Sequence, residues 1–290
     1  MLPAMKRPSI AIVGAGRLGT ALAIRLADAG YSIREIIGRG NPQSLRTARK
    51  LARGVGARVV AIQTAQLTAD LIWFCVPDAE ISRAAAALSR YDWRGKIAFH
   101  SSGVLTSEVF RVHRNQGAHA ASVHPLMTFV AGSLPELTQV PFAVEGDASA
   151  VAMAKTIIRK LGGNAFAIRK QDKPAYHAFA TMICPLLVSL LASSEAVAEL
   201  AGIPRRKARR RMMPIVRQTL TNYAKLGPAD AFSGPIVRGD AETIRLHLRS
   251  LAKAPAAKHA YLALARAALE YLPSQSKREL QKLLQSPSSA

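Results

Sequence analysis

The chain has 290 residues, of which 49% are hydrophobic, so it is long and apolar enough to bury a core and to form two domains. Its two cysteines, Cys75 and Cys184, lie inside apolar runs without CxxC or Cys/His spacing. This pattern argues against a disulfide framework and a zinc site, and it favours the cytoplasm. The formal net charge of +22 favours a phosphate-bearing partner.

The basic charge is spread along the whole chain, with its densest cluster at Arg205-Arg206-Lys207-Ala208-Arg209-Arg210-Arg211. No aromatic-rich RNA-binding motif accompanies it. We interpret the cluster as a solvated helix face and expect no nucleic-acid partner. A nucleic-acid-associated protein remains a competing hypothesis that rests on charge alone.

The N-terminal segment reaches the first predicted strand without the apolar region or cleavage site of a signal peptide. The longest nearly apolar run, Ala178 to Ala192, is interrupted by Pro185 and is shorter than the ~20 residues that span a bilayer. We therefore expect a buried helix and no membrane partner.

A short strand followed by a glycine-rich turn and a helix opens the sequence at Ser9 to Gly19. Gly14 suits the tight turn, Gly16 lets the backbone approach a pyrophosphate, and Gly19 lets the helix pack closely on the strand. The helix N-terminus would then bind the diphosphate. The predicted cofactor contacts in this turn are Gly14, Ala15, Gly16, Arg17, Leu18 and Gly19.

The second predicted strand, Tyr31 to Ile37, ends at the position where a dinucleotide-binding domain contacts the adenosine ribose. No acidic residue follows Ile37 for many positions, whereas Arg39 does. An acidic residue here selects NAD, and an arginine pairs with the 2′-phosphate of NADP. We predict NADP(H) as the cofactor and Arg39 as its phosphate ligand, the alternative being an exposed loop arginine.

Strands and helices continue to alternate as far as Ile168, which predicts an α/β, doubly wound parallel sheet of the Rossmann type. The continuous apolar run Asp70 to Val76 is typical of a central strand. The run ends at Val76, and we expect Val76, Pro77 and, after a later strand, Ser101 to border the cofactor. The further predicted elements are helix Gln43–Arg53, strand Ala57–Ile62, helix Ile81–Leu88, strands Lys96–Phe99, Ala118–Val123 and Pro141–Glu145, helix Ala148–Leu161 and strand Ala165–Ile168.

The sequence after Asp172 has only helical patterns, so we predict a Rossmann domain over residues 1–170 and an all-helical domain over residues 171–290. Pro185 should kink or end the first long helix, Pro174 to Leu200. That helix is apolar on all sides, which favours a homodimer formed through the helical domain. Four more helices are predicted over Pro204–Leu226, Asp240–Leu251, Ala256–Leu272 and Ser276–Leu284, with Asp240 as an N-cap that accepts the Thr243 N–H.

Taken together, the motifs GAGRLG, FCVPD, HSSG, HPLMTF, KPAYH and FSGPIVRGD resemble a family of bacterial Rossmann-like proteins with a C-terminal "domain of unknown function 2520". The family is related to F420-dependent NADP oxidoreductases and pyrroline-5-carboxylate reductases. The resemblance implies that the helical domain is similar to that of 6-phosphogluconate dehydrogenase. It also implies an active site in a cleft between the domains.

The motifs FCVPD, HSSG and HPLMTF lie at the ends of predicted strands, where ligands of open α/β sheets bind. Ser101 and Ser102 lie in a glycine-containing loop that we expect to be flexible enough to direct backbone N–H groups at a substrate. An imidazole at His124 should titrate near neutral pH and transfer the proton that accompanies the hydride. Prephenate dehydrogenases, which the first domain resembles, have a similar His-Pro-Met at the matching strand end. This resemblance implies that His124 polarises the reacting oxygen with the help of Ser101 or Ser102. The alternative is that His124 orders the interdomain loop through hydrogen bonds.

Lys173 and His177 open the helical domain and are further acid–base candidates. In the β-hydroxyacid dehydrogenases that the fold resembles, a helix lysine donates the proton and an asparagine follows one turn later. That asparagine is absent here, and Cys184-Pro185 stands where the closer family has a Ser-Asn pair. The predicted catalytic residues are His124, Ser101, Ser102, Lys173 and His177, with no metal ligand.

The leading hypothesis is an NADP(H)-dependent oxidoreductase that acts on a small carbonyl, imine or hydroxy-acid substrate. The cofactor would perform the redox chemistry while the protein orients the reactants. The alternative is a non-catalytic NADP-binding sensor or scaffold, which the proline at residue 185 favours.

Overall fold

The computed structural model describes residues 7–285. Its backbone contacts divide the chain into two compact units after Thr181. The predicted boundary near residue 170 precedes the helix Lys173–Ile183 (α6), within which the units divide. That boundary stays a prediction, and the two units are described separately below.

The first unit is built on an eight-stranded sheet with the strand order β3-β2-β1-β4-β5-β6-β7-β8. The reversal of order between β1 and β4 is typical of dinucleotide-binding sheets. The strands are Ile10–Val13 (β1), Ile33–Gly38 (β2), Arg58–Ala61 (β3), Leu71–Phe74 (β4), Ile97–His100 (β5), His119–Pro125 (β6), Pro141–Gly146 (β7) and Asn164–Ala167 (β8).

All neighbouring strands run parallel except β6 and β7, which pair antiparallel. The α/β class and the doubly wound sheet are therefore confirmed, and the sheet is mostly rather than wholly parallel. The helices of this unit are Arg17–Asp28 (α1), Pro42–Val55 (α2), Asp78–Leu88 (α3), Arg111–Asn115 (α4) and Ala148–Lys160 (α5). The short α4 and a 3₁₀ turn at Ser107–Phe110 were not predicted.

The burial of the central strands explains why continuous apolar runs in the sequence predicted them. Every residue of β1 and of β4 is buried, as expected for strands that are covered by helices on both faces. Trp73 and Phe99 pack edge-to-face across β4 and β5, with ring centroids 5.3 Å apart. These strands are therefore a rigid base for the loops at their carboxyl ends.

The glycines between β1 and α1 have different steric roles. Gly14 has a φ of +101°, which disfavours any other residue. A Cβ on Gly19 would overlap the carbonyl oxygen of Gly14, so α1 could not pack at this distance with a larger residue. No atom lies within 4 Å of the position of a Cβ on Gly16, which leaves open space beside that backbone.

The second unit is helical in the part of the chain that the structure describes. Its helices are Pro185–Leu200 (α7), Arg205–Ala231 (α8), Ala241–Leu251 (α9), Pro255–Tyr271 (α10) and Lys277–Gln285 (α11). Ile244, Leu269, Leu280 and Leu284 form a small buried core between α9, α10 and α11. Asp240 accepts hydrogen bonds from the backbone N–H and the hydroxyl of Thr243, so the predicted N-cap is confirmed.

Pro185 ends a helix, as predicted. Cys184 leaves helical geometry with φ −121° and ψ −83°, and Pro185 occupies the first turn of α7. The stretch from Lys170 to Leu200 is the one helical segment of residues 7–285 whose length and composition would suffice to cross a membrane. Its apolar window is not buried within the chain, contrary to the expected buried helix.

The basic cluster lies on an exposed part of α8, as the sequence suggested. Arg209 makes two hydrogen bonds to Glu195, whose side chain is buried, and Arg205 pairs with Glu199. The cluster is thus partly neutralised by carboxylates on the preceding helix. The helix departs from helical geometry at Gly227, close to its predicted end at Leu226.

Candidate functional site

Three strand ends, those of β1, β4 and β5, are level with one another at the edge of the sheet where ligands of this architecture bind. Val13 of β1 is in register with Phe74 of β4, which is in register with His100 of β5. His100 is in turn in register with Ser122 of β6, a strand that continues beyond this level to Pro125. Because neighbouring strands are ~4.8 Å apart, the residues that follow β1, β4 and β5 form one continuous row, with the last residues of β6 beside it.

A cavity of about 720 Å³ opens on the β1 and β4 side of this row. The predicted cofactor contacts that line it are Gly14, Ala15, Gly16, Arg39, Val76 and Pro77. Arg17, Leu18, Gly19 and Ser101, which was also predicted to contact the cofactor, do not line it. Gly19 packs under the turn, Arg17 is exposed in the first turn of α1, and Ser101 is buried against Trp73. Polar residues that the sequence analysis missed, among them Asn41, Ser44 and Gln63, also line the cavity.

The end of the cavity near Gly16 has the features of an anion site. Gly16 is the N-cap of α1 and supplies no side-chain hydrogen bond, so the first N–H groups of the helix lack a side-chain cap. The first turn contains no acidic residue. Unpaired N–H groups and the helix dipole both favour a negatively charged group at this position.

The other end of the cavity, beside β2, is basic and polar. The side chain of Arg39 is exposed and takes part in no ion pair among residues 7–285, while its backbone N–H donates to Ser44 Oγ at 2.9 Å. Asn41 caps α2 by accepting the Ser44 N–H at 2.8 Å. Glu35, the acidic residue of β2, is fully buried and pairs with Arg58 at 2.7 Å. No carboxylate of β2 is therefore exposed toward this end.

A cluster of polar residues from the loop after β5, from β6 and from α6 lies on the opposite side of the row. It contains all five predicted catalytic residues (Ser101, Ser102, His124, Lys173 and His177), and also Tyr176, which the sequence analysis did not select. Tyr176 is one residue before His177 on α6, and its OH lies 2.9 Å from His124 Nδ1. The helical spacing of Lys173 and Tyr176 was a usable signal, because residues three apart share a helix face.

The loop of residues 101–106 that follows β5, the serine loop, is held in place by hydrogen bonds and is not flexible, contrary to expectation. Ser102 Oγ donates to Asp78 Oδ2 at 2.8 Å and accepts the N–H groups of Val104 and Leu105. The Ser102 N–H donates to His100 Nδ1. The Ser102 hydroxyl is thus fully occupied, and it has no proton left for a ligand.

The hydroxyl proton of Ser101 remains available to a ligand. Its Oγ accepts the indole N–H of the buried Trp73 at 2.8 Å, and the structure assigns no acceptor to its own hydroxyl proton among residues 7–285. A hydroxyl group has one donor proton and two lone pairs. Ser101 is therefore an acceptor toward the core and is left with a free donor.

His100 is a structural residue. It is fully buried, and its Nε2 lies 3.1 Å from the Thr106 carbonyl oxygen, which requires a proton on that nitrogen. Burial lowers the pKa of His100 to about 3, and the positive charge of Lys173 contributes further. The ring is neutral at pH 7, with Nδ1 accepting from the loop.

His124 does not titrate near neutral pH, so that expectation is wrong. Burial, with smaller contributions from the charges of Lys173 and His177, lowers its pKa to about 4. Burial also raises the pKa of Tyr176 to about 12. The His124–Tyr176 pair is therefore neutral at pH 7, and His124 acts chemically as a neutral hydrogen-bonding group rather than as an imidazolium acid.

Gly103 provides the space beside this pair. A Cβ on Gly103 would lie 3.0 Å from His124 Nε2 and 2.5 Å from His177 Cδ2. A larger residue would therefore displace both rings. With Nδ1 bonded to Tyr176, the Nε2 edge of His124 faces the backbone of the serine loop.

Lys173 is fully buried despite its charge. Its Nζ donates to Ser122 Oγ at 2.7 Å and to the Ser102 carbonyl at 3.1 Å. Burial lowers its pKa to about 8, against the attraction of Glu145 and Asp78. The structure describes no group of three or more metal-ligating side chains in residues 7–285.

The neutrality of His124 can be measured by NMR. We expect its ring resonances, identified by their absence in His124→Gln, to stay constant from pH 8 to pH 5. At pH values between the folded pKa of His124, about 4, and its unfolded pKa, about 6.5, the unfolded state binds more protons than the folded state. The free energy of unfolding should therefore decrease as the pH is lowered through this range. A ring titration midpoint near 6.5 would contradict the burial argument.

Comparison with known families and structures gives a consistent fold. Residues 4–125 match a Rossmann-like domain, and residues 140–268 match the domain of unknown function DUF2520. No protein with a curated description matches the sequence.

Three solved structures illustrate the likeness. A proposed NADP oxidoreductase from Bacteroides fragilis is 24% identical, with a TM-score of 0.76, covering 91% of this chain and 98% of that chain. A Thermotoga maritima protein is 24% identical with a TM-score of 0.70, covering 94% and 99%. An imine reductase from a Pseudomonas species is 20% identical with a TM-score of 0.62, covering 91% and 94%. At these identities the likeness establishes the fold alone, and the two family matches show that the chain contains a Rossmann-like domain followed by a domain of unknown function, DUF2520.

Proposed function

We propose that this protein is an NADP(H)-dependent oxidoreductase for a small carbonyl, imine or hydroxy-acid substrate. The observation that carries the proposal is the row of strand ends, with an anion-binding glycine turn on one side and a neutral Ser101–His124 site on the other. Similar folds support it, since an imine reductase from Myxococcus stipitatus is described with NADP⁺ and a reductive aminase from Aspergillus terreus with NADPH.

The residues of the cavity fit NADP. The open space beside Gly16 admits the pyrophosphate, and the uncapped N–H groups of α1 offer hydrogen bonds to it. Arg39 supplies a guanidinium for the 2′-phosphate, with Ser44 beside it as a hydroxyl partner. When bound, the nicotinamide supplies or accepts the hydride.

The polar cluster provides groups that polarise a substrate. The free hydroxyl proton of Ser101 and the Nε2 edge of the neutral His124 are both suited to hydrogen-bond a carbonyl oxygen or an imine nitrogen. A neutral imidazole whose pKa is lowered can polarise a carbonyl without donating a full charge. Tyr176 holds the imidazole from the other side, and His177 lies against the same glycine.

A non-catalytic NADP-binding sensor is the second candidate. It is favoured by the saturated hydroxyl of Ser102 and by Cys184-Pro185, which replaces a polar pair expected from the family resemblance. Both candidates require NADP binding, and they differ in turnover.

Arg39→Ser tests the cofactor. We expect it to weaken NADPH binding by at least tenfold, because the charge-assisted bonds to the 2′-phosphate are lost, and to leave the NADH affinity nearly unchanged. Fluorescence titration measures both affinities. Arg53→Ser, which removes an exposed arginine in the last turn of α2, is the matched control and should not alter the NADPH affinity. Equal loss of NADPH and NADH affinity in Arg39→Ser would contradict the assignment.

His124→Ala separates an enzyme from a sensor. Across a panel of ketoacids, ketones and cyclic imines, the wild-type protein should oxidise NADPH with at least one compound. His124→Ala should lower kcat at least 100-fold, because the polarising N–H is lost, while it retains NADPH affinity. Tight NADPH binding without turnover of any panel member would favour the sensor.

We further propose that the protein forms a homodimer through its helical unit. Large apolar side chains are exposed on α7 and α8, among them Leu186, Val188, Ile215, Leu220 and Tyr223. An exposed apolar surface of this kind is usually covered by a partner. A second copy would bury it without any additional component.

Light scattering tests the dimer. We expect the wild-type protein to have twice the monomer mass at micromolar concentration, and the double variant Ile215→Glu/Leu220→Glu to be a monomer because buried charge is unfavourable. Arg217→Glu, on the same helix, is the control for the added charge. A monomeric wild-type protein would reject the proposal, and binding to lipid vesicles would indicate a membrane surface as the partner.

A further inference from the structure

We propose that Lys173 is a positioning residue, which holds the serine loop in place and does not itself donate a proton to the substrate. The inference concerns the site of the proposed oxidoreductase. The anchoring role does not depend on that function, and only the expected effect of Lys173 variants on turnover rests on it. It departs from the role that the family resemblance implies for a lysine at this position.

The contacts of Lys173 support an anchoring role. Its side chain is fully buried, and its Nζ donates to Ser122 Oγ on β6 and to the Ser102 carbonyl after β5. Ser122 Oγ also lies 3.2 Å from that carbonyl oxygen, to which it donates. The three groups form a closed triangle that links β6 and the loop after β5 to the first turn of α6.

The anchored residue lies between the two that face the proposed substrate. Ser102 is flanked by Ser101, with its free hydroxyl proton, and by Gly103, which lies against His124 and His177. Movement of the Ser102 carbonyl would therefore move both neighbours. Lys173 influences the site through the backbone of this loop.

The charge of Lys173 fits the same role. The ammonium is a stronger donor than a neutral amine, and both of its partners are acceptors here. The charged and titratable groups around it are Asp78, Glu145, His100 and His124. Asp78 and Glu145 are already bonded to Ser102 and Ser107, so the ammonium is left to the loop.

The experiment measures loop stability separately from catalysis. Amide hydrogen exchange is followed at Val104 and Leu105, whose N–H groups donate to Ser102 Oγ. We expect Lys173→Met to speed their exchange at least tenfold, while amides of β1 and β4 change less than twofold. Lys173→Arg should restore protection to within about threefold of the wild type, because guanidinium can donate to the same acceptors but does not give up a proton.

Two further variants keep the test decisive. Lys170→Met removes a neighbouring exposed lysine, paired with Glu108, and should match the wild type. Ser122→Ala removes one side of the triangle while Lys173 stays, so it should also speed loop exchange even if Lys173→Met does not fold. Unchanged exchange in both Ser122→Ala and Lys173→Met would overturn the proposal.

Turnover then separates anchoring from proton donation. For an anchor, Lys173→Arg keeps at least a tenth of the wild-type kcat, whereas Lys173→Met loses activity together with loop protection. For a proton donor, Lys173→Arg is as inactive as Lys173→Met although its loop stays protected, which would overturn the inference. If the wild-type protein oxidises no NADPH, the proposed function fails, and the exchange rates still decide whether Lys173 anchors the loop.

Discussion

The register of β1, β4, β5 and β6 is the constraint on which the candidate site depends. Parallel pairing in register places the glycine turn, the Val76–Pro77 segment, the serine loop and His124 along one edge of the sheet. The backbone hydrogen bonds of fully buried strands hold this arrangement. A shift of one residue in any of these strands would turn its side chains to the opposite face.

Burial determines the chemistry of the residues on that edge. His100 and His124 lose solvation, and both lie near the ammonium of Lys173, so neither is charged at pH 7. Hydrogen bonds then determine which atoms remain available to a ligand. The Ser102 hydroxyl is saturated by Asp78 and two backbone N–H groups, whereas Ser101 retains its proton. Adjacent serines in one loop therefore have different roles.

Much of the fold could be predicted from local patterns. Continuous apolar runs identified β1 and β4, and proline at residue 185 located the break between α6 and α7. The antiparallel pairing of β7 with β6 was not visible, because strand direction is a property of the connection in space and not of the strand's own residues. The short α4 was also missed, since a five-residue helix carries little periodicity.

The amino-acid sequence by itself determined the glycine turn, the absence of an acidic residue after β2, and the residue types that gather at the candidate site. These are local properties, set by steric freedom and side-chain chemistry within a few positions. Only the tertiary structure decided that His124 is neutral, that Tyr176 is its partner, and that Lys173 is buried beneath the serine loop. The hydrogen-bond partners of these three residues lie 50 or more positions away in the chain, so that local sequence does not reveal them.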